Sequence, residues 1–213
     1  MAKITIIALV YQSPQYARGF YELLKRTTPE LEDGTADFFF IANNANSATL
    51  KTLRNEGIPH HILQLPVLSN EDHARRGFAS PEYLGRVYEA YNFGVSKSTS
   101  DLILLLNSDM VMSPGWLPLI MDLATGDIVL SPTLVERKHP KFGVYPGAVQ
   151  ADFGSSFGNF DWQGWERFSR TASKARVVEK VDLPYMPSLV RKEWFKKLGG
   201  FPHGNIQGSN GYS

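Results

Sequence analysis

The sequence predicts an α/β fold, a mainly parallel sheet with helices on both faces, and three observations predict it. Short aliphatic runs alternate over residues 1–131 with segments of helical spacing, the pattern of strands joined by crossover helices. The runs are apolar at consecutive positions, as a strand covered on both sides requires. Polar clusters follow three of the runs directly, where such a sheet presents the carboxyl ends of its strands.

Ile4 to Val10 is the first strand, a continuous β-branched and aliphatic run. Ser13-Pro14 then reads as an N-cap and first helical position. Tyr16, Phe20, Leu23 and Leu24 keep helical spacing to about Arg26. Asp37 to Ala42 is the second strand. Ser47 is expected to cap a short helix, Ala48 to Asn55, stopped by Gly57. His61 to Leu65 is a shorter strand, and the polar stretch Pro66 to Ala79 reads as a loop. Ser80-Pro81-Glu82 opens the clearest helix, with Leu84, Val87, Tyr88, Tyr91 and Val95 on one stripe. Asp101 to Leu106 is the strongest core strand. Ser113-Pro114 starts a helix from Gly115 to about Ala124, and Asp127 to Ser131 is expected as a fifth strand. Residues 132–175 are rich in glycine and aromatics and show no clean period. Beyond them, Val177 to Asp182 reads as a strand, and Lys192 to Leu198 as a helix ended by Gly199-Gly200. No period repeats along the chain, which excludes a solenoid or propeller.

Composition excludes several functions. The 22 Lys+Arg against 21 Asp+Glu leave a formal charge of +1, which argues against nucleic-acid binding through bulk charge. With no Cys there is no thiolate nucleophile, disulfide or Cys-ligated zinc. The longest aliphatic run, Leu102 to Leu106, is far short of the roughly 20 residues of a transmembrane segment. Tyr11-Gln12-Ser13-Pro14 follows the first apolar run where a signal peptide would carry a small-residue cleavage site. The expected location is cytoplasmic, at most peripheral to a membrane.

The three polar clusters are Val10-Tyr11-Gln12, Asn43-Asn44 and Asn107-Ser108-Asp109. Any one of them is ordinary turn chemistry. Together, at one edge of a sheet, they point to a ligand site. Asp109 ends a buried strand with no basic residue beside it in sequence, which suits magnesium or manganese sharing phosphate oxygens. A nucleoside diphosphate would complete that shell.

The order and spacing of these segments resemble the family 2 glycosyltransferases of the GT-A fold, a GT-A-like (Rossmann-like) domain. Ile4 to Gln12 is similar to the family's opening strand and turn, and Asn43-Asn44-Ala45-Asn46 stands in place of its Asp-Asn-Gly-Ser. Tyr91-Asn92-Phe93-Gly94-Val95 resembles its Arg-Asn-x-Gly-Ile segment. Leu105 to Asp109, followed by Ser113-Pro114-Gly115-Trp116-Leu117, resembles its metal-binding DxD region and the helix after it. Val190-Arg191-Lys192-Glu193-Trp194-Phe195 with Leu198-Gly199-Gly200-Phe201 resembles an arginine-led helix ending in Gly-Gly-Phe.

The resemblance implies roles. Ala8, Val10 and Tyr11 would line the nucleotide base. Asn43 and Asn44 would serve base or ribose, and Asn107 and Ser108 ribose or phosphate. Asp109 would hold Mn2+ or Mg2+. It implies a nucleotide-sugar donor, a glycan, lipid-linked or other hydroxyl acceptor, inversion at the anomeric carbon, and no nucleic-acid partner.

Four departures from the family pattern stand out. Asn43 replaces an Asp, Asn107 replaces the first Asp of DxD, and Tyr91 replaces an Arg for which Arg86 is a candidate substitute. The carboxylate base expected after Gly-Gly-Phe is missing, since Pro202 to Ser213 holds no acid. The catalytic residue is therefore unassigned, with His203 the nearest titratable group. The expectation is one domain, residues 1–131 as the nucleotide half and 132–213 as the sugar and acceptor half, incomplete at its C-terminus. The alternative is a non-catalytic nucleotide- or glycan-binding module. A nucleotidyltransferase would want a Gly-rich phosphate loop after the first strand, which Tyr11-Gln12-Ser13-Pro14 does not supply.

Other features keep two readings. Phe157, Phe160, Trp162 and Trp165 suit a sugar platform or plain packing. Asp152 and Asp161 suit sugar hydroxyls or a solvated surface. The loop Asn70 to Arg76 suits a flap over a diphosphate or a simple connection. His60-His61 is not a metal pair, because neighbours on a strand point to opposite faces. Asp152-Phe153-Gly154 spells a kinase signature without its companion motifs.

Overall fold

The computed structural model describes residues 3–65, 81–124, 128–141, 143–144, 147–172 and 186–202. The expected loop over 66–79 with its segment 70–76, the expected strand over 177–182, and His203 lie outside these residues.

A five-stranded sheet organises the chain. Its strands are β1 (Ile4–Val10), β2 (Ala36–Asn43), β3 (His60–Leu63), β4 (Leu102–Asn107) and, later in sequence, β7 (Ser188–Arg191), in the spatial order β3-β2-β1-β4-β7. The first four are parallel and β7 is antiparallel to β4. β1 lies at the centre, with Ile7 between Phe39 and Leu105. Along it, Ile4, Ile6, Ala8 and Val10 face one apolar cluster and Ile7 and Leu9 the other. Both faces are covered, which explains why the run is apolar at every position but Thr5, whose buried hydroxyl bonds to Ser98 and Ser100.

The helices are α1 (Pro14–Thr27), α2 (Ser47–Asn55), α3 (Pro81–Lys97), α4 (Trp116–Leu123), α5 (Trp162–Thr171) and α6 (Lys192–Lys197). Residues of α1, α2 and α4 build the first cluster, and residues of α3 and α6 the second. Two short strands, β5 (Val135–Glu136) and β6 (Val149–Gln150), form a separate parallel pair.

Helix α3 positions much of the site, and two of its residues fix it. A Cβ on Gly94 would lie 2.8 Å from Ile7 Cγ2 and 3.1 Å from Ile41 Cγ1, so only glycine lets the helix sit this close to β1 and β2. Asn92 Nδ2 donates to the Phe201 carbonyl and its Oδ1 accepts from Phe201 N, both at 2.9 Å. This two-point clamp holds the Gly199-Gly200 turn, where φ is +85° and +73°. Phe201 stacks on Tyr88 with ring centroids 5.3 Å apart.

Several expectations need correction. Asn46, not Ser47, caps α2, its side chain accepting from Thr49 N at 2.9 Å, and Ser47 is the first helical residue. Ser13 holds the N-cap position of α1 without a side-chain cap bond. The expected fifth strand reduces, in its described part, to one bridge in which Leu130 pairs with Leu189 on the outer edge of β7. Elements appear where none was expected: the strand pair β5–β6, strand β7, entered at Ser188, and helix α5, capped by Asp161 through Gly164 N at 2.9 Å.

Candidate functional site

Strand order reverses between β1 and β4: from β1 the chain steps outward to β2 and β3, then returns to the other side. Adjacent loops diverge at such a point and leave a crevice beyond the carboxyl ends. A crevice of about 370 Å³ opens there, lined from β1 by Val10 and Tyr11, from β2 by Asn43 and Asn44, from α3 by Arg86, and from the end of β4 by Asn107, Ser108 and Asp109. The three polar clusters of the sequence thus meet in one place.

Their side chains do different things. Asn43 Oδ1 is buried without a hydrogen-bond partner, while its Nδ2 lies a long 3.5 Å from the Arg86 carbonyl. A buried acceptor left unmatched is unfavourable by about 1–3 kcal/mol. Asn44 lines the crevice, but both polar ends of its amide are taken: Nδ2 donates to Leu65 O at 3.0 Å and Oδ1 accepts from Leu65 N at 2.7 Å. Its φ of +49° turns the chain out of β2, and the two bonds to Leu65 make Asn44 a brace of the crevice wall. Ala8 is fully buried in the core and is not part of the lining, which corrects the expectation that it lines a base. Tyr11 lies at the lip, 43% exposed, with a face open to stacking.

Tyr91 explains one departure from the expected pattern. It is fully buried, and its Oη stands 2.9 Å from Leu106 O and 3.1 Å from Asn107 Oδ1. It braces the end of β4 from beneath and does not enter the crevice. Arg86, one helical turn and more towards the N-terminus of α3, does line it.

Asp109 is exposed as a residue, yet the surrounding walls strip enough water from its carboxyl to push its pKa above the ordinary carboxylate value. Among the described residues no ion pair involves it. Nor do three His, Cys, Asp or Glu side chains come together there as a metal cage, among the described residues. A single carboxylate with no ion pair among the described residues, at the edge of a crevice, fits a divalent cation that takes its remaining oxygen ligands from a diphosphate.

Asp109 also borders a second cavity of about 710 Å³, which shares Tyr16 and Asn107 with the first. Its walls include Glu136 and His139 on one side and Phe153, Phe157, Phe160 and Trp165 on another. Of the aromatics, Trp165 is buried, with Nε1 donating to Met112 O at 3.2 Å and rings of Phe153 and Phe168 at 5.3 and 6.0 Å. Phe157 packs edge-on against Tyr16 at 5.6 Å, and Trp162 lies under the Arg26 guanidinium at 4.5 Å, outside the lining. Asp152 and Asp161 are spent on backbone amides of Gly154 and Gly164, each at 2.9 Å. His60 and His61 lie on β3, at the far edge of the sheet.

Sequence reasoning did not single out Ser13, Tyr16, Glu136, Arg137 or His139 as lining residues. For Ser13 and Tyr16 a signal existed, since the first turn of a helix after a strand end borders the same crevice. Glu136 carried none, because a strand of two residues has no period to read.

Residues 72–199 match the family model for Glycosyl transferase family 2. Among curated proteins, none matches the chain in sequence. Among solved structures, S. aureus TarS 1-349 in complex with UDP-GlcNAc is similar with a TM-score of 0.52 at 16% identity, over 94% of this chain and 48% of that one. TarS 1-349 without that ligand gives a TM-score of 0.50 at 17% identity, over 94% and 50%. The mannosyltransferase PcManGT from Pyrobaculum calidifontis, in complex with GDP-Man and Mn2+, gives 0.48 at 13%, over 94% and 47%. The chain spans about half the length of these structures.

Proposed function

Because the chain belongs to glycosyl transferase family 2 and has the GT-A fold of its structural neighbours, we propose that it binds a nucleoside-diphosphate sugar in the crevice and transfers the sugar to an acceptor hydroxyl with inversion. The observation that carries this reading is that one crevice at the switch point is lined both by an orphaned amide oxygen at Asn43 and by a partly desolvated carboxylate at Asp109 that makes no ion pair among the described residues. The likeness to a TarS structure holding UDP-GlcNAc supports a nucleotide sugar as the ligand. Residues 1–131 would supply the nucleotide half and residues 132–213 the sugar and acceptor half.

In this reading Val10 and Tyr11 take the base, Tyr11 by stacking. Asn43 Oδ1 accepts a hydrogen bond from a base or ribose donor. Asn107 and Ser108 serve ribose or phosphate, and Arg86 balances charge on the diphosphate. Asp109 would hold Mn2+ or Mg2+, which supplies charge neutralisation to the departing diphosphate. The acceptor oxygen then forms its bond to the anomeric carbon as the bond from that carbon to the diphosphate oxygen breaks.

The alternative reading is a nucleotide- or glycan-binding module without turnover. Calorimetry with UDP, dTDP and GDP, with and without Mn2+, tests the donor site, and diphosphate release from the matching sugars separates the two readings. Binding with turnover supports the transferase, binding without turnover supports the module, and no binding refutes both.

A further inference from the structure

The donor crevice and the larger cavity meet along Tyr16, Asn107 and Asp109, which line both. A nucleotide sugar whose diphosphate lies by Asp109 therefore passes Tyr16 as it extends into the larger space. Resting on the donor-site reading above, we propose that Tyr16 determines specificity for the transferred sugar, its phenol sharing a hydrogen bond with one of that sugar's hydroxyls.

Tyr16 is half-buried, and among the described residues its Oη takes part in no hydrogen bond, so both its donor and its acceptor capacity are open. A neutral phenol that donates and accepts matches a sugar hydroxyl, which does the same. A diphosphate offers acceptors alone, and in the reading above it already has Arg86 and the cation at Asp109.

The ring is also held in place. Tyr16 lies in the first turn of α1, three residues before Gly19 and on the same face. Phe157 packs edge-on against the Tyr16 ring with centroids 5.6 Å apart, and it fills the space beside Gly19, where a Cβ would lie 2.8 Å from Phe157 Cγ. The turn that carries Phe157 is tied by Asn159, whose Oδ1 accepts from Ser155 N at 3.0 Å and from Ser156 N at 2.8 Å. Further along α1, the Arg26 guanidinium lies over Trp162 at 4.5 Å and its Nη2 donates to Glu166 Oε1 at 3.1 Å. Residues 157–166 thus dock along the helix at two levels. A side chain braced in this way loses little freedom when it bonds a ligand, which is what a selective contact needs. Phe157 itself lines the larger cavity and sets an apolar ring beside the phenol, suited to the C–H face of a sugar.

The test uses the full chain with Mn2+ and reads affinities by calorimetry. The ligands are UDP, dTDP and GDP, their sugar conjugates, and versions of the best-bound conjugate lacking one sugar hydroxyl at a time. Tyr16→Phe keeps the ring against Phe157 and removes only the hydroxyl. It is expected to bind the nucleoside diphosphate as the wild type does and to lose about threefold or more in affinity for the matching nucleotide sugar, the size of one neutral hydrogen bond. One deoxy sugar is expected to bind the wild type and Tyr16→Phe equally, because the contact is then missing from both complexes; a purely structural role of the phenol would not give that result. The proposal is overturned if Tyr16→Phe loses less than about threefold for the nucleotide sugar. It is equally overturned if the variant weakens the diphosphate alone as much as the nucleotide sugar, or penalises every deoxy sugar as heavily as the parent. Failure of every nucleotide to bind the wild type refutes the donor-site reading itself, and this inference with it.

Discussion

Asn43 and Asp109 flank β1 from opposite sides, one ending β2 and the other following β4; Asn43 Oδ1 is buried without a hydrogen-bond partner, and partial desolvation raises the pKa of Asp109 against a smaller opposing backbone hydrogen bond. A buried oxygen without a partner is costly, and one that lines a crevice is available to a ligand donor. Asp109→Ala is therefore expected to weaken Mn2+-dependent nucleotide binding by about 30-fold or more, the size of one charged contact, while the melting temperature of the ligand-free protein does not fall. Calorimetry and thermal unfolding check the two halves. His61 provides a separate prediction about pH. Burial on β3, with Lys97 and His60 adding repulsion against a weaker attraction from Asp37, holds its pKa below the ordinary imidazole value near 6.5. The folded chain therefore resists a proton that the unfolded chain accepts. Stability from this group is present above that value and is lost as pH falls through and below it. Urea titrations between pH 7 and 5 should show the decline, and His61→Gln should flatten it. At this scale the sequence marked the right polar clusters but not which atoms were committed. Asn43 and Asn44 read alike as letters, and only the left-handed turn at Asn44 spends its amide on Leu65.

Helix α3 shows how an element carries a site. Its stripe of apolar residues was legible from spacing alone, but its depth was not, since that depends on the missing side chain at Gly94. Gly94→Ala forces a methyl into Ile7 and Ile41 and should lower unfolding free energy by about 1–3 kcal/mol, measured by denaturant titration. Because Arg86 and Val87 of the same helix line the crevice, the shift should weaken nucleotide binding as well. Strands β1, β2 and β4 were legible because burial on both faces leaves a nearly continuous apolar run, broken only by Thr5 in β1 and by Asp37 and the terminal asparagines. β7 was hidden because its four residues run straight into α6, so the sequence reads as one helix with a leader. Helix α5 was hidden by Gly164, which interrupts a stripe that Trp162, Trp165 and Phe168 otherwise keep. The pair β5 and β6 is set by main-chain bonds between segments distant in sequence, which no local pattern announces.

Over the whole molecule, stability is concentrated where the sheet is doubly covered. Native-state hydrogen exchange should find the amides of β1 and β4 exchanging only through global unfolding, and those of β5 and β6 through smaller openings. A slow β5–β6 pair would contradict this. The parallel architecture and the crevice it creates followed from alternation and strand-end chemistry, whereas the larger cavity depends on packing among residues 132–172 that no periodicity encodes. The direction of β7 has a consequence for how that larger cavity is furnished. A parallel strand brings its trailing residues to the mouth of the sheet; this one brings its leading residues, so Met186 and Pro187 stand on the cavity wall while Lys192, at the other end, bonds back to Asp101 beneath the sheet. A chain that has travelled some eighty positions from Asp109 thus returns to its vicinity head first, and changes just upstream of the strand, not downstream, bear on the shape of that cavity wall.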